Sequence, residues 1–200
     1  MLMLSKSLAS ISFIAAGAVC MSLGNAFGEE VPLWRGMEKS TTQKAADAEL
    51  IDNVRRLTKG NLEQGALLAI ERGWQFVSRG DFDSAIKRFN QAYLLQPELG
   101  ATYWGLGVAS GARGDDPGIW EPLFSKAVEK IQGEGRLYSD WGRIYETNGM
   151  PQSAIRKFEQ AVKLQPENPE SHIGMIRAAL ALGDEELALK HKEILEGLSK

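Results

Sequence analysis

Cysteine is almost missing from this 200-residue chain: Cys20 stands alone. A single cysteine cannot close a disulfide within the chain, and this one lies in an N-terminal segment that reads as removable. The remainder of the chain must therefore be stable without cross-links, and it offers no thiol nucleophile or thiolate metal site. Histidine is nearly as scarce. His172 and His191 both fall in the last thirty residues, a distribution that argues against a histidine-built metal centre, and His172 reads as a packing or surface residue at a helix start. Glu167-Asn168-Pro169-Glu170 is too sparse in alternating oxygen ligands for a calcium loop. Gly105-Leu106-Gly107 and Gly133-Glu134-Gly135 lack the strand and helix flanks of a phosphate loop, and no serine elbow is present. Neither a cofactor nor catalysis is expected. Charge of one sign is not concentrated either. Of 23 basic residues only Lys6 precedes position 29, all 26 acidic residues lie beyond position 28, and the net charge past the leader is -4. Without a basic tract, nucleic acid and anionic lipid are not expected partners.

The leader itself has a recognisable layout. Met1 to Ser7 carries Lys6, Leu8 to Leu23 carries no charge, and Gly24-Asn25-Ala26-Phe27-Gly28 precedes Glu29-Glu30. This order predicts a secretory signal over residues 1–28. Cleavage after Gly28 puts Ala26 and Gly28 at the small-residue positions; cleavage after Ala26 is the alternative. The uncharged run of 16 residues is short against the roughly 20 a membrane-spanning helix needs. Val19 and Gly17 fit a lipid-attachment signal at Cys20 poorly. A periplasmic or secreted protein is expected, with membrane contact only through an uncleaved signal or a partner.

Two segments beyond the leader repeat one another. Gly80-Asp81-Phe82-Asp83-Ser84-Ala85-Ile86-Lys87-Arg88-Phe89-Asn90-Gln91-Ala92 ends at Leu95-Gln96-Pro97-Glu98. Gly149-Met150-Pro151-Gln152-Ser153-Ala154-Ile155-Arg156-Lys157-Phe158-Glu159-Gln160-Ala161 ends at Leu164-Gln165-Pro166-Glu167. Their offset of 69 leaves room for one copy between them. That copy keeps Tyr103, Leu106, Gly107 and Gly114-Asp115, while Phe124 and Ala127 match after a one-residue insertion; a fourth copy keeps Gly183-Asp184 and Ala188. Each copy reads as two amphipathic helices joined by a glycine turn. Ala85, Ala154 and Ala188 would let paired helices approach closely, Phe89, Phe124 and Phe158 would fill the neighbouring layer, and Pro97 and Pro166 would close the second helices.

The chain thus resembles a tetratricopeptide repeat protein. The matching positions are Gly73, Phe76, Ala85, Phe89, Ala92 and Pro97 in the first copy, and Trp141, Gly142, Tyr145, Ala154, Phe158, Ala161 and Pro166 in the third. The second copy departs, placing Ile119 or Trp120 where the small residue belongs and adding Pro117 and Pro122. The resemblance implies an all-α, right-handed solenoid of helical hairpins, with copies at about 66–99, 100–134, 135–168 and 169–198. Residues 29–43 read as an extended arm, and Asp47 to Leu57 as a helix capping the open end of the stack. Asn61 with Gln64 suggests a capping box for the next helix, and the last helix is expected over about Glu185 to Leu195.

By the same resemblance the first helix of each pair lines a concave face. Its positions are Leu67, Ile70, Trp74 and Val77; Ala101, Trp104, Val108 and Gly111; Arg136, Ser139, Arg143 and Glu146; then Ile173 and Arg177. The expected groove is apolar and aromatic in its first half and polar, net basic, beyond. Ile70, Trp74 and Trp104 would anchor a protein or peptide, and Arg143 and Arg177 would meet an acidic or C-terminal carboxylate group. Trp120 and Trp141 read as core. Three functional readings stay open: a non-catalytic scaffold or adaptor of the bacterial cell envelope, a self-associating structural subunit (and so a possible homo-oligomer) whose groove is filled by its own N-terminal arm with Trp34 nearby, and a small-ligand sensor.

Overall fold

The computed structural model describes residues 31–33 and 37–198. The expected signal segment over 1–28, Cys20 and Trp34 lie outside the described residues. Helix α1 spans Thr41–Leu57, and four pairs succeed it: α2 (Leu62–Val77) with α3 (Phe82–Leu95), α4 (Gly100–Arg113) with α5 (Pro117–Lys130), α6 (Gly135–Thr147) with α7 (Pro151–Leu164), and α8 (Pro169–Ala181) with α9 (Glu185–Leu198). First helices of successive pairs pack against one another, while second helices touch each other far less. This asymmetry splays the second helices outward and leaves the first helices lining the inner face of an all-α solenoid.

In the first and last pairs the turn comes from a Gly-Asp signature. Gly80 and Gly183 take φ of 73° and 74°, a left-handed conformation that glycine adopts without the penalty other residues meet. Asp81 and Asp184 then accept from the backbone N–H groups of Ser84 (3.1 Å) and Leu187 (3.0 Å), satisfying donors that the next helix leaves open at its start.

Between pairs, the core is built on phenyl rings inserted between glycine backbones. Phe89, fully buried on α3, lies between Gly73 of its own pair and Gly105 of the next; a methyl group there would stand 2.6 Å and 2.2 Å from its ring. Phe158 repeats the arrangement between Gly142 and Gly174, where the distances would be 2.7 Å and 2.3 Å. Ala85 and Ala154, also buried, keep the facing helices close. Burying each ring contributes about 1.5–3 kcal/mol, and only glycine leaves room for it.

The second copy solves the same problem with larger pieces. Trp120 takes the place of the small residue and is fully buried. Its indole N–H donates to the Asp115 carbonyl at 3.0 Å. Its ring meets Tyr145 edge-on at 4.9 Å, and Phe124 stacks on Trp141 at 5.2 Å with 6° between the planes. The Lys157 ammonium sits over the Trp141 ring, 3.3 Å from its centroid. These rings hold α5 further from α6 than α3 is from α4 or α7 from α8. Pro117 occupies the first turn behind the Asp116 cap, and Pro122 stands inside the helix, which continues past it.

The two ends differ. At the first end α1 covers α2, with Val54 seated over Gly65. Ser40 and Gln43 form a reciprocal capping box, so the helix starts at Thr41 and takes in Thr41 and Thr42, which were expected in the extended arm. Its first turns are polar, and an apolar stripe cannot mark them. Asn61, expected to cap the next helix, accepts from the Gln64 N–H at 3.0 Å, and α2 begins at Leu62. Arm residues Val31–Leu33 dock on α3: the Leu33 N–H donates to Asn90 Oδ1 and Asn90 Nδ2 donates to the Val31 carbonyl, both at 2.9 Å. At the far end α9 carries Lys192 where α3 and α7 carry Phe89 and Phe158, so the phenyl series stops there.

Gly105→Ala or Gly174→Ala is expected to lower stability by about 1–3 kcal/mol, since overpacking exceeds the gain in helix propensity. Gly197→Ala, where the added methyl meets nothing within 4 Å, is expected to be neutral or slightly stabilising. Urea unfolding of the three variants checks the contrast.

Candidate functional site

The five residues expected to bind a partner all lie on first helices, but the structure uses them differently. Ile70 is buried in the core cluster of α2 and α3, and Trp74 and Trp104 are partly buried against it. Trp74 meets Phe89 and Trp104 edge-on, each at 5.6 Å between centroids. The first half of the inner face thus closes on itself, with Val108 and Gly111 buried as well.

The second half is polar, as its sequence requires, yet Arg143 and Arg177 are engaged. The Trp104 indole N–H donates to Asp140 Oδ2 at 3.0 Å, and Arg143 Nη2 donates to Asp140 Oδ1 at 2.8 Å. Arg177 grips Glu146 with two bonds, 2.5 Å from Nε and 2.8 Å from Nη2. One line of side chains therefore crosses all four first helices: Trp74, Trp104, Asp140 with Arg143, then Glu146 with Arg177. The net basic half expected from Arg136, Arg143 and Arg177 is neutralised where Arg143 and Arg177 stand. Exposed apolar side chains stand at the inner-face positions Leu67 of α2 and Ile173 and Leu180 of α8, and outside that face at Leu182 just beyond α8 and Leu189 on α9.

Asp140 is the site residue that sequence reasoning missed. It sits three residues before Arg143, the spacing of an intrahelical ion pair, and that was the available signal. Its carboxyl is raised above the ordinary carboxylate range by burial, against the opposing pull of Arg143, the Trp104 N–H and Arg136.

A second unread pairing closes the last repeat. His172 and His191, both buried, meet Nδ1 to Nδ1 at 2.8 Å, and His172 Nε2 lies 2.7 Å from the Pro166 carbonyl. A carbonyl only accepts, so Nε2 of His172 carries its proton. His172 Nδ1 is then the acceptor for His191 Nδ1–H. Burial, with His172 and Lys190 nearby, pushes the His191 imidazole below its ordinary value. Among the described residues no group of three or more metal-ligating side chains comes together.

Both titrating groups bear on stability. A folded carboxyl raised above its unfolded value costs stability while ionised, so Asp140→Asn is expected to raise the melting temperature at pH 7. The gap to wild type should narrow as pH falls toward the ordinary carboxylate range; the exposed Arg143 loses little. A lowered imidazole has the opposite sign: its contribution is complete above the ordinary histidine value and is lost as pH falls below it. Melting temperatures from pH 7 to pH 5 should therefore fall less in His191→Gln than in wild type.

The comparisons with known proteins agree with this architecture. A tetratricopeptide repeat model matches residues 147–191. Tetratricopeptide repeat protein 36 of Homo sapiens is 30% identical over 142 residues, covering 69% of this chain and 70% of the relative. Among solved structures, MamA superposes with a TM-score of 0.60 at 16% identity, covering 82% of this chain and 96% of MamA. The first repeat domain of RPAP3, bound to the HSP90 peptide SRMEEVD, gives a TM-score of 0.53 at 21% identity, covering 60% and 95%. At these identities the two structures speak for the fold alone. Repeat sequence, helix pairing and the human relative together place the chain in the tetratricopeptide repeat family.

Proposed function

We propose that this chain is a non-catalytic interaction scaffold of the bacterial cell envelope that assembles with copies of itself. The observation that carries the reading is the division of its surface. Trp74, Trp104, Arg143 and Arg177 of the inner face are engaged with neighbouring side chains, whereas Leu182 and Leu189, beyond that face on the last pair, stand exposed. The arm contributes on the α3 side through Asn90, and the inner face is filled by its own tryptophans and ion pairs. Placement in the envelope rests on the signal-like residues 1–28 and on a cysteine-free chain beyond them.

A second reading, a peptide held in the inner face, draws on the fold likeness to RPAP3, which holds an acidic peptide. Here Arg143 and Arg177 would first have to leave Asp140 and Glu146.

Crosslinking in the native host, with mass spectrometry of the products, separates the two. Crosslinks between copies of the chain, kept in Trp104→Ala and Arg143→Glu, together with a mature N-terminus near Glu29, are expected. A single different protein, captured by wild type and lost from both variants, would return the function to the inner face. A retained leader would remove the envelope placement.

A further inference from the structure

The last helix has a thin attachment. α9 packs chiefly on α8, and among its residues Ala188 and His191 are the buried ones. By contrast α3 buries Ala85, Ile86, Phe89, Asn90, Ala92 and Leu95. His191 is the larger of the two anchors of α9, and it lands on the imidazole of His172, itself 1% exposed.

The bridge between these rings holds one proton and has no room for two. His172 Nε2 donates to the Pro166 carbonyl at 2.7 Å, and His191 Nδ1–H fills the 2.8 Å gap to His172 Nδ1. With the bridge intact, a further proton can enter only at His191 Nε2, where it charges a buried ring and burial opposes it. A second would set N–H against N–H across the gap. Separated in water, each imidazole can take a proton, so opening is linked to proton uptake.

The surroundings supply no counter-charge. Three and four residues away along the helix, His191 has Leu187, Ala188, Ile194 and Leu195, and His172 has Asn168, Pro169, Met175 and Ile176, none of them charged. The charges acting on His191 are His172 from α8 and Lys190 from its own helix, and both oppose a further proton. Glu185, Glu186, Lys192, Glu193 and Glu196 of α9 are exposed. So are Glu170 and Arg177 of α8, Lys163 of α7 and Glu167 in the turn between them. Among the described residues no carboxylate bonds either ring.

We infer that the His172–His191 bridge is a proton-operated latch: acidification releases α9 from α8 while the first pair stays folded. Segments with few buried contacts open below global unfolding, and α9 is the last element of the described stack. His172 and His191 are the chain's two histidines, so no imidazole titrates in the earlier pairs. The inference stands apart from the self-association reading, although Leu189 rides on α9 and would move with it.

Hydrogen–deuterium exchange of the full chain from pH 7 to pH 5, corrected for the intrinsic pH dependence of amide exchange, reads the opening helix by helix. Below the ordinary histidine value α9 is expected to lose protection by about tenfold or more per pH unit, the slope of one to two protons, while α2 and α3 keep theirs. The slope should weaken in His191→Gln, whose amide can still bond but takes no proton, and vanish when His172→Gln is added. The wild type decides without the variants: a slope on α9 below one proton, or equal loss on α2 and α3, would overturn the latch. A double variant that keeps the wild-type slope would overturn the role of the pair.

Discussion

The structure depends on a phenyl ring held between two glycine backbones. Phe89 and Phe158 each reach from a second helix into a gap bounded by a glycine of their own pair and a glycine of the next. This contact sets the distance between pairs, and it recurs with the repeat because the sequence does. A stack of hairpins is stable only if each pair buries its apolar face on a neighbour, and the phenyl–glycine contact carries that burial across each junction it serves. Where the second copy replaces the small residue with Trp120, the junction to the third pair widens and an aromatic cluster of Trp120, Phe124, Trp141 and Tyr145 fills it. Where α9 carries Lys192 in the phenyl position, the phenyl series stops.

Function depends on how that scaffold distributes the side chains it does not bury. The inner face has the residue types of a binding groove, but their hydrogen bonds and ring contacts are made within the face. Trp104 and Arg143 share Asp140, and Arg177 holds Glu146 across to α6. A partner docking there has to break these contacts before it makes its own. At the ends of the described stack the charges are exposed and locally paired, and Leu57 and Leu189 stand exposed.

The architecture was legible in the sequence because it is written twice. The offset of 69 residues, the recurring Gly-Asp turns and the alanines at 85, 154 and 188 specify pairs, turns and close packing directly. The cap helix was legible from Val54 and its apolar stripe, though not its polar first turns, which Ser40 and Gln43 organise through hydrogen bonds. The inner face was legible as positions but not as interactions. Its arginines looked free because Glu146 and Arg177 belong to different pairs, and only the relative placement of α6 and α8 brings them within bonding distance. Asp140 had the right spacing to be paired with Arg143, yet its link to Trp104 spans two repeats. The same holds for His172 and His191, whose contact depends on how α9 closes over α8.

Hydrogen–deuterium exchange of the full chain at low and high protein concentration tests the central claim most directly, that the inner face is engaged with its own side chains and self-association uses the last pair. The account predicts added protection at high concentration on α9, around Leu189, with α4 and α6 unchanged. Protection concentrated on α4 and α6, around Trp104 and Arg143, would contradict it.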